Sequence, residues 1–303
     1  MTDLSVALIG LGDIAQKAYL PALTAMPGLD IRLCTRDRGT LERLGETYRL
    51  SGRFTSVADV VRSGIRAAFV HAATEAHVEI VETLLEAGVH TYVDKPLADN
   101  LEDAKRLVRL AQEAGVSLTV GFNRRYAPGY ADLVQLPRHL ILMQKNRQQH
   151  PDIPRRVIFD DFIHVVDTLR FLAPGEVTER RIRTRMGEGG LLEHVVLELS
   201  GDGFTAIGVM NRHSGSSEES CEVSGNGVKR RVNNLAEVVD YTGAEVVTRR
   251  GDWTPVARQR GIEQVCSEFL NAVREGRVLS AEDTLATHEI CEEIVAAAEG
   301  HGP

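Results

Sequence analysis

Val6-Ala7-Leu8-Ile9-Gly10-Leu11-Gly12-Asp13-Ile14-Ala15 is the stretch on which the fold turns. Four apolar residues run directly into Gly-Leu-Gly and then into a helix-forming segment. A short continuous apolar run closed by glycine reads as a strand buried on both faces. Gly10 permits the tight turn, and Gly12 lets a pyrophosphate approach the backbone. Ala15 is small enough for close helix–strand packing. The helix that opens at Asp13 and Ile14 aims its unpaired N–H groups at the phosphates. Gly10, Gly12, Asp13, Ile14 and Ala15 are therefore candidate dinucleotide-binding residues. The Gly-x-Gly-x-x-Ala match is weak alone; between the first strand and first helix of an alternating chain it is specific.

That alternation continues outward. Ile31-Arg32-Leu33-Cys34, Ala67-Ala68-Phe69-Val70, Thr91-Tyr92-Val93 and Leu118-Thr119-Val120 read as further buried strands. Between them Val78, Val81, Leu84 and Leu85 share one helical face, and Ala104, Leu107, Leu110 and Ala111 another. Such a pattern predicts a doubly wound parallel sheet over residues 1–122. After Phe122 the period changes. From about Val177 to Arg250 apolar residues alternate with polar ones, and Gly201-Asp202-Gly203 and Gly225-Asn226-Gly227 split the runs into antiparallel hairpins. Two helices close the chain, the first with Ile262, Val265, Phe269 and Val273 on one face and the second from about Ala281 to Ala298. The second domain is thus 123–303. In its sheet Val195, Leu197 and Leu199 oppose Val196, and Phe204 and Ala206 oppose Ile207 and Val209. A sheet apolar on both faces with few helices to cover it predicts a homo-oligomer, a dimer or tetramer.

Composition narrows the partners. The 303 residues carry a formal net charge of −8, with 43% hydrophobic and 26% charged residues. An acidic chain without a basic block points away from nucleic acid and from anionic membranes. No run approaches a membrane span, and Met1-Thr2-Asp3-Leu4 leads into a strand without a signal-peptide pattern. Four scattered cysteines with no CxxC pair suit reduced thiols in a cytoplasm rather than a disulfide framework or a metal site.

Three further places carry chemistry. Thr35 and Arg36 follow the second strand, where NAD enzymes place an acid for the ribose 2′-OH. Arg36 suits a 2′-phosphate, which favours NADP; if Asp37 takes the acid's place, NAD is the cofactor and Arg36 is a solvated loop residue. Lys95, in Val93-Asp94-Lys95-Pro96, lies at a strand's carboxyl end, where open α/β sheets bind ligands. The bland alternative is a surface lysine. Asp160, His164 and Asp167 fall on one face of a helix at i, i+4 and i+7. They form either a proton-handling cluster or a solvated polar stripe over a core of Val166 and Leu169.

Together with Ala87-Gly88-Val89-His90 and Gly121-Phe122-Asn123-Arg124-Arg125-Tyr126-Ala127-Pro128, these landmarks resemble the Gfo/Idh/MocA oxidoreductases, most closely the MviM-type members. The resemblance covers nearly the whole chain. It implies an N-terminal Rossmann domain and a C-terminal α+β domain with a large, mostly antiparallel open sheet. It implies that Lys95 lies between nicotinamide and substrate, and that Asp160 and His164 match the family's Asp-x-x-x-His pair. It brings Thr74 and His77 in as cofactor contacts, although Ala72-Ala73-Thr74 stands where the family often has Thr/Ser-Pro. Asp94 replaces the commoner Glu, and Phe162 occupies a position where glycine is common and would reshape the substrate pocket. The implied function is NAD(P)-dependent hydride transfer to or from a hydroxyl-bearing carbon of a sugar or polyol. The alternative is a dinucleotide-binding sensor or regulator on the same fold.

Overall fold

The computed structural model describes residues 3–300. They form two compact units. One holds the chain up to Gly121 together with Ile262–Leu285; the other holds Phe122–Gly261 together with the chain from Ala286.

The first unit is built on six parallel strands: β1 (Leu4–Ile9), β2 (Leu29–Cys34), β3 (Gly52–Phe54), β4 (Ala67–Val70), β5 (His90–Val93) and β6 (Leu118–Val120). Their order is β3-β2-β1-β4-β5-β6, with every neighbour parallel. The order reverses between β1 and β4, which opens a crevice beyond their carboxyl ends. Val6, Ala7 and Leu8 are fully buried, as a strand covered on both faces must be. The strand β3 was not expected. It is a three-residue, half-buried edge strand, Gly-Arg-Phe, too short and too polar to show a period.

Helix Leu101–Ala114 shows why the covering helices form where they do. Asn100 caps it by accepting the Asp103 N–H at 2.8 Å, and Gly115 ends it at φ 66°. It buries Ala104, Leu107, Val108 and Ala111, so Val108 takes the inward place expected of Leu110. Helix Ile262–Glu275 also belongs to this unit. Phe269 is fully buried, with its ring 5.3 Å from Phe69 and 5.9 Å from Tyr92. An apolar helical face shows that a helix needs a core, not which core. A single cut between 122 and 123 therefore leaves out this return of the chain.

The second unit carries eight strands: β7 (Leu140–Asn146), β8 (Glu179–Met186), β9 (Leu192–Gly201), β10 (Phe204–Asn211), β11 (Glu218–Gly225), β12 (Val228–Asn233), β13 (Glu237–Tyr241) and β14 (Glu245–Arg249). Their order is β14-β13-β12-β11-β7-β10-β9-β8. Only β7 and β10 pair in parallel; the rest are antiparallel. Both glycine turns are hairpins. Asn226 and Gly227, at φ 49° and 76°, close β11 onto β12 with Gly225 opposite Val228. Strands β9 and β10 bury Val195, Leu197, Leu199, Phe204, Ala206 and Met210. Helix Ile163–Leu172 lies on this face, so close that a Cβ on Gly208 would stand 2.4 Å from Val165 Cγ1. On the opposite face Leu140 and Leu142 are exposed, and Ile207 and Val209 are half-buried. Among the described residues no helix is long and apolar enough to cross a membrane.

Candidate functional site

A cleft of about 580 Å³ opens at the carboxyl ends of β1, β2 and β4, lined by Gly10, Gly12, Thr35, Arg36, Asp37 and His71 among others. Gly10 donates its N–H to the Cys34 carbonyl at 2.9 Å. Its φ is +83°, and a Cβ there would lie 2.4 Å from the Ala72 nitrogen, so only glycine fits. A Cβ on Gly12 would meet nothing within 4 Å, which leaves the backbone bare beside the cleft. Ala15 is fully buried. Asp13 pairs with Lys17 on the surface at 2.8 Å, and Ile14 is 44% exposed; neither side chain is needed for the turn. Bare glycine backbone ahead of a helix fits a dinucleotide's pyrophosphate.

At the tip of β2, Thr35 donates its N–H to the Phe54 carbonyl at 3.1 Å. Asp37 is the N-cap of helix Arg38–Thr47 and accepts the Thr40 N–H and hydroxyl, both at 3.1 Å. These hydrogen bonds from Thr40 hold its carboxyl below its ordinary pKa. Asp37 is thus committed to the helix start, while Arg36 is exposed at the rim.

Lys95 follows β5, half-buried, and its N–H donates to Asp94 Oδ1 at 2.8 Å. Burial pushes the Asp94 carboxyl up; His71, 3.7 Å away, and Lys95 outweigh this and hold it below its usual value. His77 is only 1% exposed. Its ring nitrogens face two carbonyl oxygens, Pro96 at 2.8 Å and Ala72 at 3.0 Å. Burial lowers its pKa against the pull of those carbonyls. His77 therefore ties the loop after β4 to the loop after β5. Thr74 opens a short turn, Thr74–Ala76. Neither residue is among those that line the cleft.

In the second unit the structure does not put Asp160, His164 and Asp167 on one polar face. The helical run contains a π turn, Ile158–Phe162, which breaks the i, i+4 register before His164. Asp160 is exposed, whereas His164 and Asp167 are buried. Asp167 is gripped by Arg125, with Nη2 to Oδ1 at 2.6 Å. Phe162 is fully buried. His164 is met by Arg124, whose Nη1 lies 3.1 Å from both ring nitrogens. The same guanidinium grips Glu219 through Nε at 3.2 Å and Nη2 at 2.8 Å.

Around Arg124 lies a charged cluster that sequence reasoning missed. Asp161 accepts from Lys145 at 2.8 Å, Arg147 at 2.6 Å and Arg212 at 2.7 Å. Burial raises the Asp161 carboxyl, but these cations carry it far below the carboxylate range. Burial, aided by Arg124, pushes the Lys145 ammonium down to about 8. Lys145 and Glu219 are cross-strand partners on β7 and β11. Both side chains are buried at inward positions of their strands.

A family model described as an oxidoreductase family with an NAD-binding Rossmann fold matches residues 4–122, and a YceM-like C-terminal domain matches residues 131–241. YceM of Salmonella typhimurium, an oxidoreductase by name, is 35% identical over 284 residues, covering 92% of each chain. The myo-inositol dehydrogenase Hyg17 of Streptomyces leeuwenhoekii is 33% identical over 188 residues, 58% of each chain. The crystal structure of the MviM dehydrogenase from Clostridium difficile superposes with a TM-score of 0.93 at 29% identity, covering 98% of this chain and all of that one. With the glycine cradle, the two sheets and these relatives in agreement, the chain belongs to the Gfo/Idh/MocA oxidoreductase family.

Proposed function

We propose that the protein transfers a hydride between NADP(H), preferred over NAD(H), and a hydroxyl-bearing carbon of a sugar or polyol. The observation that carries this reading is the cradle at Gly10–Gly12 with Lys95 at the end of a strand in the same sheet. A relative named for myo-inositol supports the polyol class. The bound dinucleotide supplies the hydride acceptor or donor. The chain's own residues position the substrate and move its proton. Lys95, or His164 beside Arg124, takes the hydroxyl proton. Positioning dominates, because reacting atoms must sit about 3–3.5 Å apart. A reducing cytoplasm is the setting that suits four buried cysteines kept as thiols.

The 2′ preference follows from the tip of β2. Asp37 caps its helix with both carboxylate oxygens, which supports Thr35 and Arg36 as the residues that meet the ribose 2′ position. Thr35 and Arg36 can donate to a 2′-phosphate, and a charge-assisted contact contributes about 1.5–3 kcal/mol. NADPH is expected to bind at least about tenfold more tightly than NADH. Arg36→Ala should erase most of that gap. A fluorescence titration of both cofactors decides it, followed by absorbance assays with a panel of sugars and polyols. Equal or tighter NADH binding refutes the preference; binding without turnover of any panel member refutes the dehydrogenase reading.

We also read the face bearing Leu140 and Leu142, 38% and 37% exposed, as a subunit interface. Ile207 and Val209 join Leu142 in lining a shallow depression there. Light scattering should show a dimer or tetramer at micromolar protein; a strict monomer rules the interface out.

A further inference from the structure

The second unit contains a pocket whose charge does not suit a neutral polyol. It has a volume of about 150 Å³ and is lined by Arg124, Lys145, Arg147 and Arg260, with Glu218 and Glu219. That is room for about five water molecules, enough for one tetrahedral or planar ionic group but not for a whole sugar. The carboxylates of the cluster are already engaged. Asp161 answers Lys145, Arg147 and Arg212. Glu219 answers Arg124, and Glu218 accepts from Asn146 at 3.0 Å. Arg260 has no carboxylate partner among the described residues.

We propose that this pocket holds an oxyanion of the substrate, a carboxylate or a phosphate ester, so that the substrate is a sugar acid or sugar phosphate. The proposal rests on the dehydrogenase reading above. Arg124 makes the link, because the guanidinium that lines the pocket is the one that touches His164. An anion seated there lies one guanidinium away from the imidazole assigned to the hydroxyl proton. Desolvation and the nearby Arg124 charge, with a smaller push from Arg147, carry the Arg260 guanidinium down against the pull of Glu219. A bound anion would relieve that crowding of like charge. Arginine forks also match the geometry of both oxyanions.

The test is calorimetric titration of the full chain saturated with NADPH, at low ionic strength. D-gluconate and glucose 6-phosphate are compared with glucitol and glucose, and inorganic phosphate probes the pocket by itself. At least one anionic sugar should bind ten times or more tightly than its neutral match, and which one does so identifies the oxyanion. Arg260→Gln should remove most of that preference. Glu218→Gln, which keeps an acceptor for Asn146, should strengthen anion binding. Three results overturn the proposal: equal affinity for neutral and anionic sugars, no binding of any anion at millimolar concentration, or a folded Arg260→Gln variant with wild-type anion affinity. The two readings fail separately. Turnover of neutral polyols, indifferent to Arg260→Gln, removes the oxyanion site and keeps the dehydrogenase. Tight anion binding without hydride transfer to or from any sugar does the reverse.

Discussion

Replacing Lys95 by methionine is expected to lower kcat by roughly 10²–10⁴-fold while cofactor affinity stays close to the wild-type value. Lysine and methionine have similar apolar stems, so the exchange removes the ammonium without emptying the site. Lys95 is held by its backbone N–H on Asp94, a bond that methionine keeps. The cradle at Gly10 and Gly12 lies on another loop and is untouched. Steady-state kinetics with the best substrate of the panel, together with a cofactor titration, separates the two quantities. A variant with wild-type kcat would show Lys95 to be a bystander. A variant that loses cofactor affinity but not kcat would make it a binding residue.

Arg124→Met should destabilise the fold by about 3–5 kcal/mol, the usual cost of stranding one half of a buried ion pair. Arg124 is 7% exposed and Glu219 9%. Lys145 stands 3.8 Å from Glu219, but it is already drawn to Asp161 at 2.8 Å. Tyr130 still donates to Glu219 at 3.2 Å, which compensates one hydrogen bond and not the charge. In a chain of this size the melting temperature should fall by about 5–8 °C. The pH dependence has a definite sign. Burial raises the Glu219 carboxyl, and Arg124 and Lys145 more than reverse this, taking it from 4.5 to about 2. Its stabilisation is therefore present above about pH 4.5 and is lost as the pH falls toward 2. The gap in melting temperature between wild type and variant should be widest near neutrality and should narrow in acid. Calorimetric scans across that range measure it; a constant gap would mean that Arg124 acts by packing alone.

The parallel sheet was legible because its strands are continuous apolar runs and its first turn needs glycine twice. Gly10 is a case where the reason seen in the sequence and the clash seen in the structure are the same fact. Strand β3 and strand β7 were not legible. One is three residues long, and the other, Leu-Ile-Leu-Met-Gln-Lys-Asn, is apolar on both faces in its first half and then turns a charge, Lys145, inward. The reading of Asp160 and His164 as neighbours on one face assumed an unbroken α-helix. A π turn adds a backbone offset that side-chain type does not announce. His77 was brought in as a cofactor contact by the family resemblance, and in the structure two backbone carbonyls meet its ring nitrogens. The charged cluster depended on pairing across strands, Lys145 against Glu219, and on Arg124 arriving from a distant loop. None of that follows from local spacing.

Helix Ile262–Glu275 packs against Phe69 and Tyr92, which were made long before it. During synthesis the first sheet is complete at Gly121, and the helix begins about 140 residues later. At about 5–20 residues per second, the wait is roughly seven to thirty seconds. For that interval the nascent sheet must carry an uncovered aromatic surface beside a half-made second unit. It is a natural station for a chaperone, and a reason why the order of translation matters to a chain whose finished parts are interleaved.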